Sequence, residues 1–341
     1  MPEVSAEEWD AFFSQHPQAH YQQSSCWGEL KCGYGYDKPV YVIASTAGAQ
    51  ILFPRLPLGI KVGYIPNGPI GNHWQELWHE VDIACRKRGA IFLKVEPDHL
   101  EPVDDQLLEE MAGFQRVVEY IQPRRNIVLD LKGNAEDWLT NMHKTTRKNI
   151  RKAIKTGLIL SESEDIPTFQ KLVACTAKRR RFKPRDINYF QKLYNSCICK
   201  DRPKNCSLQG TLLIVSYQGT PLSGKIVLAN GSRAWAVYTG TCEEQFDFKQ
   251  NYLVYFEGMR WAASKGCLSY DLGGIPDYDE AYLEANAWRT EGTWGLYRFK
   301  RGFGGKIVRS VGAWDRVYNP LMYLLYRLYI RASGRYREDH I

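Results

Sequence analysis

The sequence predicts a mixed α/β protein built as two tandem domains. Three observations lead there. At 341 residues the chain is longer than one ordinary core. Short β-rich runs alternate with helix-like segments along its whole length. The two halves also present the same succession of pieces, as an internal duplication would. A composition of 44% hydrophobic and 24% charged residues is that of a folded globular chain and excludes general disorder.

In the first half, paired strands over Val40–Ala44 and Ile51–Leu56 lead to Tyr64-Ile65-Pro66. A helix near Gln75 to Arg88, a stop at Gly89 and a strand Ile91–Val95 follow. In the second half, strands Leu212–Tyr217 and Leu222–Leu228 lead to Val237-Tyr238-Thr239. A helix near Asn251 to Lys265, Gly266 and a strand Leu268–Asp271 complete it. Each helix closes on a basic residue followed by glycine, which suits a left-handed cap and the negative end of the helix dipole.

Between the halves, Asn134–Gly157 reads as one helix, with Asn134 as N-cap and Gly157 as stop. At 100° per residue, Lys144, Arg147, Lys148, Arg151, Lys152 and Lys155 share roughly 140° of arc. Trp138, Leu139, Met142, Ile150, Ala153 and Ile154 fall opposite. Six like charges on one face repel at i,i+4 spacing, so the face is either simply solvated or neutralised by the phosphates of a polyanion. The net charge of +7 and a second basic run, Lys178 to Arg185, fit such a partner.

Nine scattered cysteines include no CxxC pair, and Cys197, Cys199 and Cys206 lack a fourth ligand, so the expectation is reduced thiols in a cytoplasm and no metal. The N-terminus has no signal-peptide pattern. The longest apolar stretch, Leu321–Ile330, is interrupted by Arg327 and followed by Arg331, Arg335 and Arg337. It is too short to span a bilayer and is either a terminal helix packed on a domain or a membrane-surface contact. GxSxG, HExxH and GxxxxGK[ST] signatures are missing, and His16, His20, His73, His79, His99, His143 and His340 sit in unrelated settings.

The segment Gly295–Val308, GLYRFKRGFGGKIV, places Lys300 between an aromatic run and a glycine-rich exit, after a Tyr270–Ile275 turn, YDLGGI. The duplicated unit resembles the GNAT acyltransferase fold. The glycine loop with which such proteins cradle coenzyme A has no counterpart in Lys249-Gln250-Asn251-Tyr252-Leu253-Val254, so another acyl donor is expected.

The pieces Trp27-Gly28-Glu29-Leu30-Lys31, Tyr64 to Pro69, KTTRKNIRKAIKTGL, Arg185 with Tyr189-Phe190, Tyr238-Thr239-Gly240, Tyr270 to Gly274 and Gly295 to Lys300 follow one another as in the FemABX aminoacyltransferases. The chain is similar to that family over nearly its whole length, in the shorter FemX-like form without a coiled-coil arm. The resemblance implies two GNAT-like domains separated by a cleft, residues 1–145 and 146–308, with 309–341 packing back on the first. It implies a monomer, cytoplasmic or peripheral at the inner face of the membrane. The donor is aminoacyl-tRNA and the acceptor a side-chain amine of a nucleotide- or lipid-linked peptidoglycan precursor, with no cofactor. Lys300 would stabilise the tetrahedral oxyanion. Lys31 and Arg185 would meet the precursor's diphosphate, and Tyr64, Tyr238 and Phe299 would line the groove. Asp271 would orient a neighbour, accept a proton or cap the backbone, and the basic helix would contact tRNA. No general base stands out. Two rivals share these residues: an N-acyltransferase with a different donor, and a non-catalytic RNA- or membrane-binding module.

Overall fold

The computed structural model describes residues 3–199, 206–242 and 248–333; Arg335, Arg337 and His340 lie outside them. The chain divides into two units, Met1–Arg124 with Pro203–Ser207 and Arg309–Ile341, and Arg125–Arg202 with Leu208–Val308. The border therefore falls at Arg124/Arg125 and not after residue 145. Residues 125–130 form a strand of the second unit's sheet, which binds the segment to that unit.

The first unit contains strands β1 (Glu3–Val4), β2 (Val40–Ala44), β3 (Ala47–Ile51), β4 (Lys61–Pro66), β5 (Ile70–Gly71), β6 (Ala90–Glu96) and β7 (Gln115–Val117). The hairpin partner of β2 is thus Ala47–Ile51, earlier than expected. Residues 52–56 make only isolated bridges, Leu52 with Tyr64 and Pro54 with Tyr36, because prolines at 54 and 57 cannot donate to a ladder.

The second unit is one seven-stranded sheet, formed by β8 (Arg125–Asp130), β9 (Ile159–Glu162), β10 (Gln209–Tyr217), β11 (Thr220–Asn230), β12 (Arg233–Thr241), β13 (Ser269–Ile275) and β14 (Lys306–Arg309), in the order β14-β8-β13-β12-β11-β10-β9. The last strand, β15 (Ala313–Val317), returns to the first unit between β6 and β7, completing the order β4-β6-β15-β7 beside the sheet β1-β2-β3-β5.

Each unit holds a parallel pair bridged by a helix with a buried apolar face. β4 pairs with β6 across Trp74–Lys87, and β12 pairs with β13 across Gln250–Ser264. This is the physical content of the echo between the halves: a parallel pair needs a crossover, and the helix covers the sheet. Gly89 and Gly266 end both helices with φ of 70° and 82°.

The span Asn134–Gly157 is two helices, Ala135–Asn141 and Lys144–Lys155, not one. Asn134 makes the expected capping box with Asp137. The break is imposed from outside the segment: the N–H of His143 donates to the Gly302 carbonyl at 2.9 Å, and Gly304 approaches Asn141 so closely that a Cβ there would lie 2.3 Å from the Asn141 oxygen. Ile150 and Ala153 are buried as predicted, but Ile154 is exposed. Between Gly157 and β10, the described residues form β9 and two ordinary helices, Ile166–Arg180 and Ile187–Cys197, with no arm. No helix among the described residues is long and apolar enough to cross a membrane.

Candidate active site

The stretch Tyr270–Ile275 is not a turn but the strand β13, whose register against β8 shifts between Asp271 and Gly274. Gly273 takes φ of 81° at that bulge, which favours glycine. Asp271 holds the distortion: one carboxylate oxygen accepts the Gly273 N–H at 2.7 Å and the other accepts the Asn126 side-chain amide at 2.7 Å.

With Gly273 bonded to Asp271, the carbonyl of Gly274 accepts a hydrogen bond from Nζ of Lys300 at 2.7 Å. A Cβ on Gly273 would sit 3.5 Å from that nitrogen. Lys300 ends the helix Trp294–Lys300, where Trp294 and Tyr297 occupy the preceding buried positions of the same stripe, and it is only 5% exposed. Burial pulls its ammonium down to about 8, with Asp271 opposing that shift and Arg180 reinforcing it. The Asp271 carboxyl is pushed up by its own burial against the hydrogen bonds and cations around it.

Lys225 is a residue that sequence reasoning missed. It lies in the middle of β11 opposite Thr239, fully buried, and donates to Thr239 Oγ1 at 2.9 Å with its nitrogen 3.2 Å from the centre of the Tyr255 ring. Burial, and then the charge of Lys300, hold its amine well below the usual lysine range. A lone lysine inside the apolar run of Leu222–Leu228 was the available signal, since lysine is almost never fully buried without cause.

Phe299 joins an aromatic cluster with Tyr252, Tyr255 and Phe303, centroids 4.9–5.2 Å away. Tyr238 shares a 2.8 Å hydroxyl contact with Tyr189, and the exposed Arg185 guanidinium lies 5.1 Å from the Tyr189 ring centre. The second unit thus gathers Lys300, Asp271 and Lys225 in one neighbourhood, and Arg185 with Tyr238 in another.

Lys31 and Tyr64 belong to the first unit. Lys31 ends the helix Ser25–Lys31 with its ammonium 4.6 Å from the Trp27 ring centre and 5.9 Å from that of Tyr36. Tyr64 is buried, and its hydroxyl donates to Glu96 at 2.5 Å and accepts from Gln122 at 2.8 Å.

On the helix Lys144–Lys155, Lys144, Lys148, Arg151, Lys152 and Lys155 are exposed and, with Arg147 and Thr156, line an open hollow of about 640 Å³. Arg147 is partly diverted: its guanidinium caps the preceding helix at the carbonyls of Leu139 and Thr140. Arg151 lies 3.5 Å from Glu136. Among the described residues, no three His, Cys, Asp or Glu side chains are arranged to hold a metal ion.

Each of the two units has a helix-bridged parallel pair, the second also has a buried lysine bonded to a glycine-rich bulge, and the family match below gives the class, a transferase acting on amino acids. The chain belongs to the FemAB family, whose model matches residues 4–112, 106–198 and 212–331. It is 24% identical over 403 residues to the Lipid II:glycine glycyltransferase of Staphylococcus haemolyticus, across 94% of each chain. The crystal structure of FemX superposes with a TM-score of 0.80 at 22% identity, over 95% of this chain and 99% of that one. A tandem GNAT protein from the clavulanic acid biosynthesis pathway gives 0.51 at 10% identity, over 92% and 96%. These likenesses show the paired GNAT-like fold.

Proposed function

We propose that the protein transfers an amino acid from aminoacyl-tRNA to a side-chain amine of a peptidoglycan precursor, nucleotide- or lipid-linked, at the inner face of the membrane. The observation that carries the reading is Lys300, a lysine held almost out of water on the Gly274 carbonyl. Family membership and the names of the relatives, which act on lipid II, support the peptidoglycan acceptor.

In the reaction, the acceptor nitrogen forms a bond to the ester carbonyl carbon and the bond to the tRNA 3′ oxygen breaks. The proton lost by the amine leaves with the departing hydroxyl or to water. The ester is already activated, so the chain's contribution is orientation and stabilisation of the oxyanion. A lysine titrating near 8 is still largely charged at neutral pH, and its poor solvation lets it respond strongly to a developing negative charge. Asp271 keeps that lysine from losing its proton earlier. Arg185 is the cation proposed for the precursor's diphosphate, with Tyr238 and Phe299 of the same unit beside the acceptor. The exposed cations of Lys144–Lys155 are those proposed for tRNA phosphates.

The test is transfer with charged tRNA and a stem-peptide acceptor. Lys300→Ala should keep acceptor binding and lose transfer by about 10² or more, as removal of one oxyanion donor does elsewhere. Turnover within a few-fold of wild type removes Lys300 from the chemistry. Incorporation from acyl-CoA with none from any charged tRNA replaces the donor.

A further inference from the structure

The C-terminal helix Pro320–Ser333 is apolar on two sides, and the fold uses only one. Tyr323 and Ile330 are buried, and Tyr323 with its partly buried neighbours Met322 and Tyr326 packs on Val62, Ile91 and Phe92 of β4 and β6. On the other side, Leu321, Leu324, Leu325 and Leu328 are 67%, 56%, 51% and 53% exposed, with Tyr329 beside them at 40%. The spacing i, i+3, i+4, i+7 sets the four leucines on one face of the helix. The segment packs on its unit, as one of the two expected alternatives has it, and still presents a leucine stripe outward.

We propose that this stripe is a membrane-docking face, seated in the headgroup region of an anionic bilayer. The charges around it select that occupant. The helix Pro320–Ser333 has two arginines, Arg327 and Arg331, and no acidic residue. Within the described part, Arg327 pairs with Glu119 at 2.8 Å, while Arg331 is 3.8 Å from the same carboxylate and keeps 64% of its side chain exposed. A leucine face with arginine at its end and tyrosine at its edge is the pattern of a helix lying in an interface and attracted by anionic lipid. A second copy fits less well, because a copy of the same helix offers leucines and arginines with no acidic residue, and so no charge complementary to Arg331, whereas an anionic surface does. Docking serves the proposed reaction by bringing the enzyme to a lipid-linked acceptor, and so rests on that reading for its purpose; its test does not need the reaction.

The experiment is flotation of the full-length protein with vesicles of phosphatidylcholine alone or with about 30 mol% phosphatidylglycerol. Neither contains a peptidoglycan precursor, so failure to bind vesicles and failure to transfer an amino acid are read separately. Wild type should float with the anionic vesicles and about tenfold less with neutral ones, and high salt should weaken the binding. The variant L321Q/L324Q/L325Q/L328Q should lose about 10²-fold in partitioning while transfer to a soluble acceptor stays unchanged. Leu324→Glu alone replaces it if the quadruple variant does not fold. Wild type that ignores vesicles, a leucine variant that still floats, or a dimer that the leucine changes dissolve without any vesicle binding each overturns the proposal.

Discussion

Replacing Asp271 with asparagine tests whether the charge of Lys300 matters to the reaction. The change is close to isosteric and the fold is equipped to absorb it. The new side-chain oxygen still accepts from the Gly273 N–H. Its amide nitrogen would face the Asn126 amide, but Asn126 Oδ1 is buried without a partner, so rotating Asn126 by half a turn about its terminal bond supplies an acceptor. What is lost is the anion that raises the proton affinity of Lys300. Loss of a nearby opposite charge is worth about one to three pKa units, and a change of about one unit would move Lys300 from about 8 to about 7.

The sign follows from the cation being the active form: a lower pKa discharges it earlier as pH rises. At pH 6 both enzymes are almost fully protonated and the rates should agree within about 1.2-fold. At pH 9 the charged fraction falls from about one in eleven to about one in a hundred, a ninefold loss. The assay is kcat/KM for both proteins across this range, and their ratio cancels the acceptor amine's own ionisation. The same factor at pH 6 and pH 9 would refute the electrostatic role and leave Asp271 a backbone cap.

Beside the Lys300→Ala and vesicle experiments, two further outcomes are expected. Lys225→Met should leave a similar volume without an amine whose proton affinity burial, and then the charge of Lys300, lowers. The folded state binds its proton less tightly than the unfolded state, so its cost is greatest at low pH and fades as pH rises toward the ordinary lysine value. Thermal unfolding should therefore show the variant gaining stability at pH 6 and gaining less at pH 9.5. Replacing Lys148, Lys152 and Lys155 with alanine should weaken tRNA binding and flatten the slope of log K against log salt by about 2–3; an unchanged slope removes this helix from the RNA contact.

The regular parts of the fold were legible because local chemistry dictates them. Arg88-Gly89 and Lys265-Gly266 end their helices as read, and Asn134 caps its helix through its own side chain. The misreadings come from partners far away in sequence. The break at Met142–His143 is set by Gly302 and Gly304, more than 150 positions on, and the strand at 125–130 declares its unit only by pairing with β13. Asp271 was singled out within an expected turn, but the Tyr-Asp-Leu-Gly-Gly pattern spells a turn and a bulged interior strand equally well. Only pairing to β8 on one side and β12 on the other decides between them.

The placement of Lys300 shows why its pattern could name the residue but not its state. Two features of the fold favour its charge: the Gly274 carbonyl that accepts from it, and its position in the last turn of a helix, where the dipole is negative. Asp271 adds a third, and burial works against all of them. The balance near 8 is struck between burial, which Arg180 reinforces, and Asp271, and the same aspartate holds the amide two residues along the strand at the bulge. A side chain at 273 would strain that bulge, whose φ of 81° is left-handed, while meeting the ammonium only at ordinary contact distance. The glycines after Asp271 are thus part of the electrostatics of the site. A change such as Gly273→Ala would act on Lys300 through the backbone without altering a single charge.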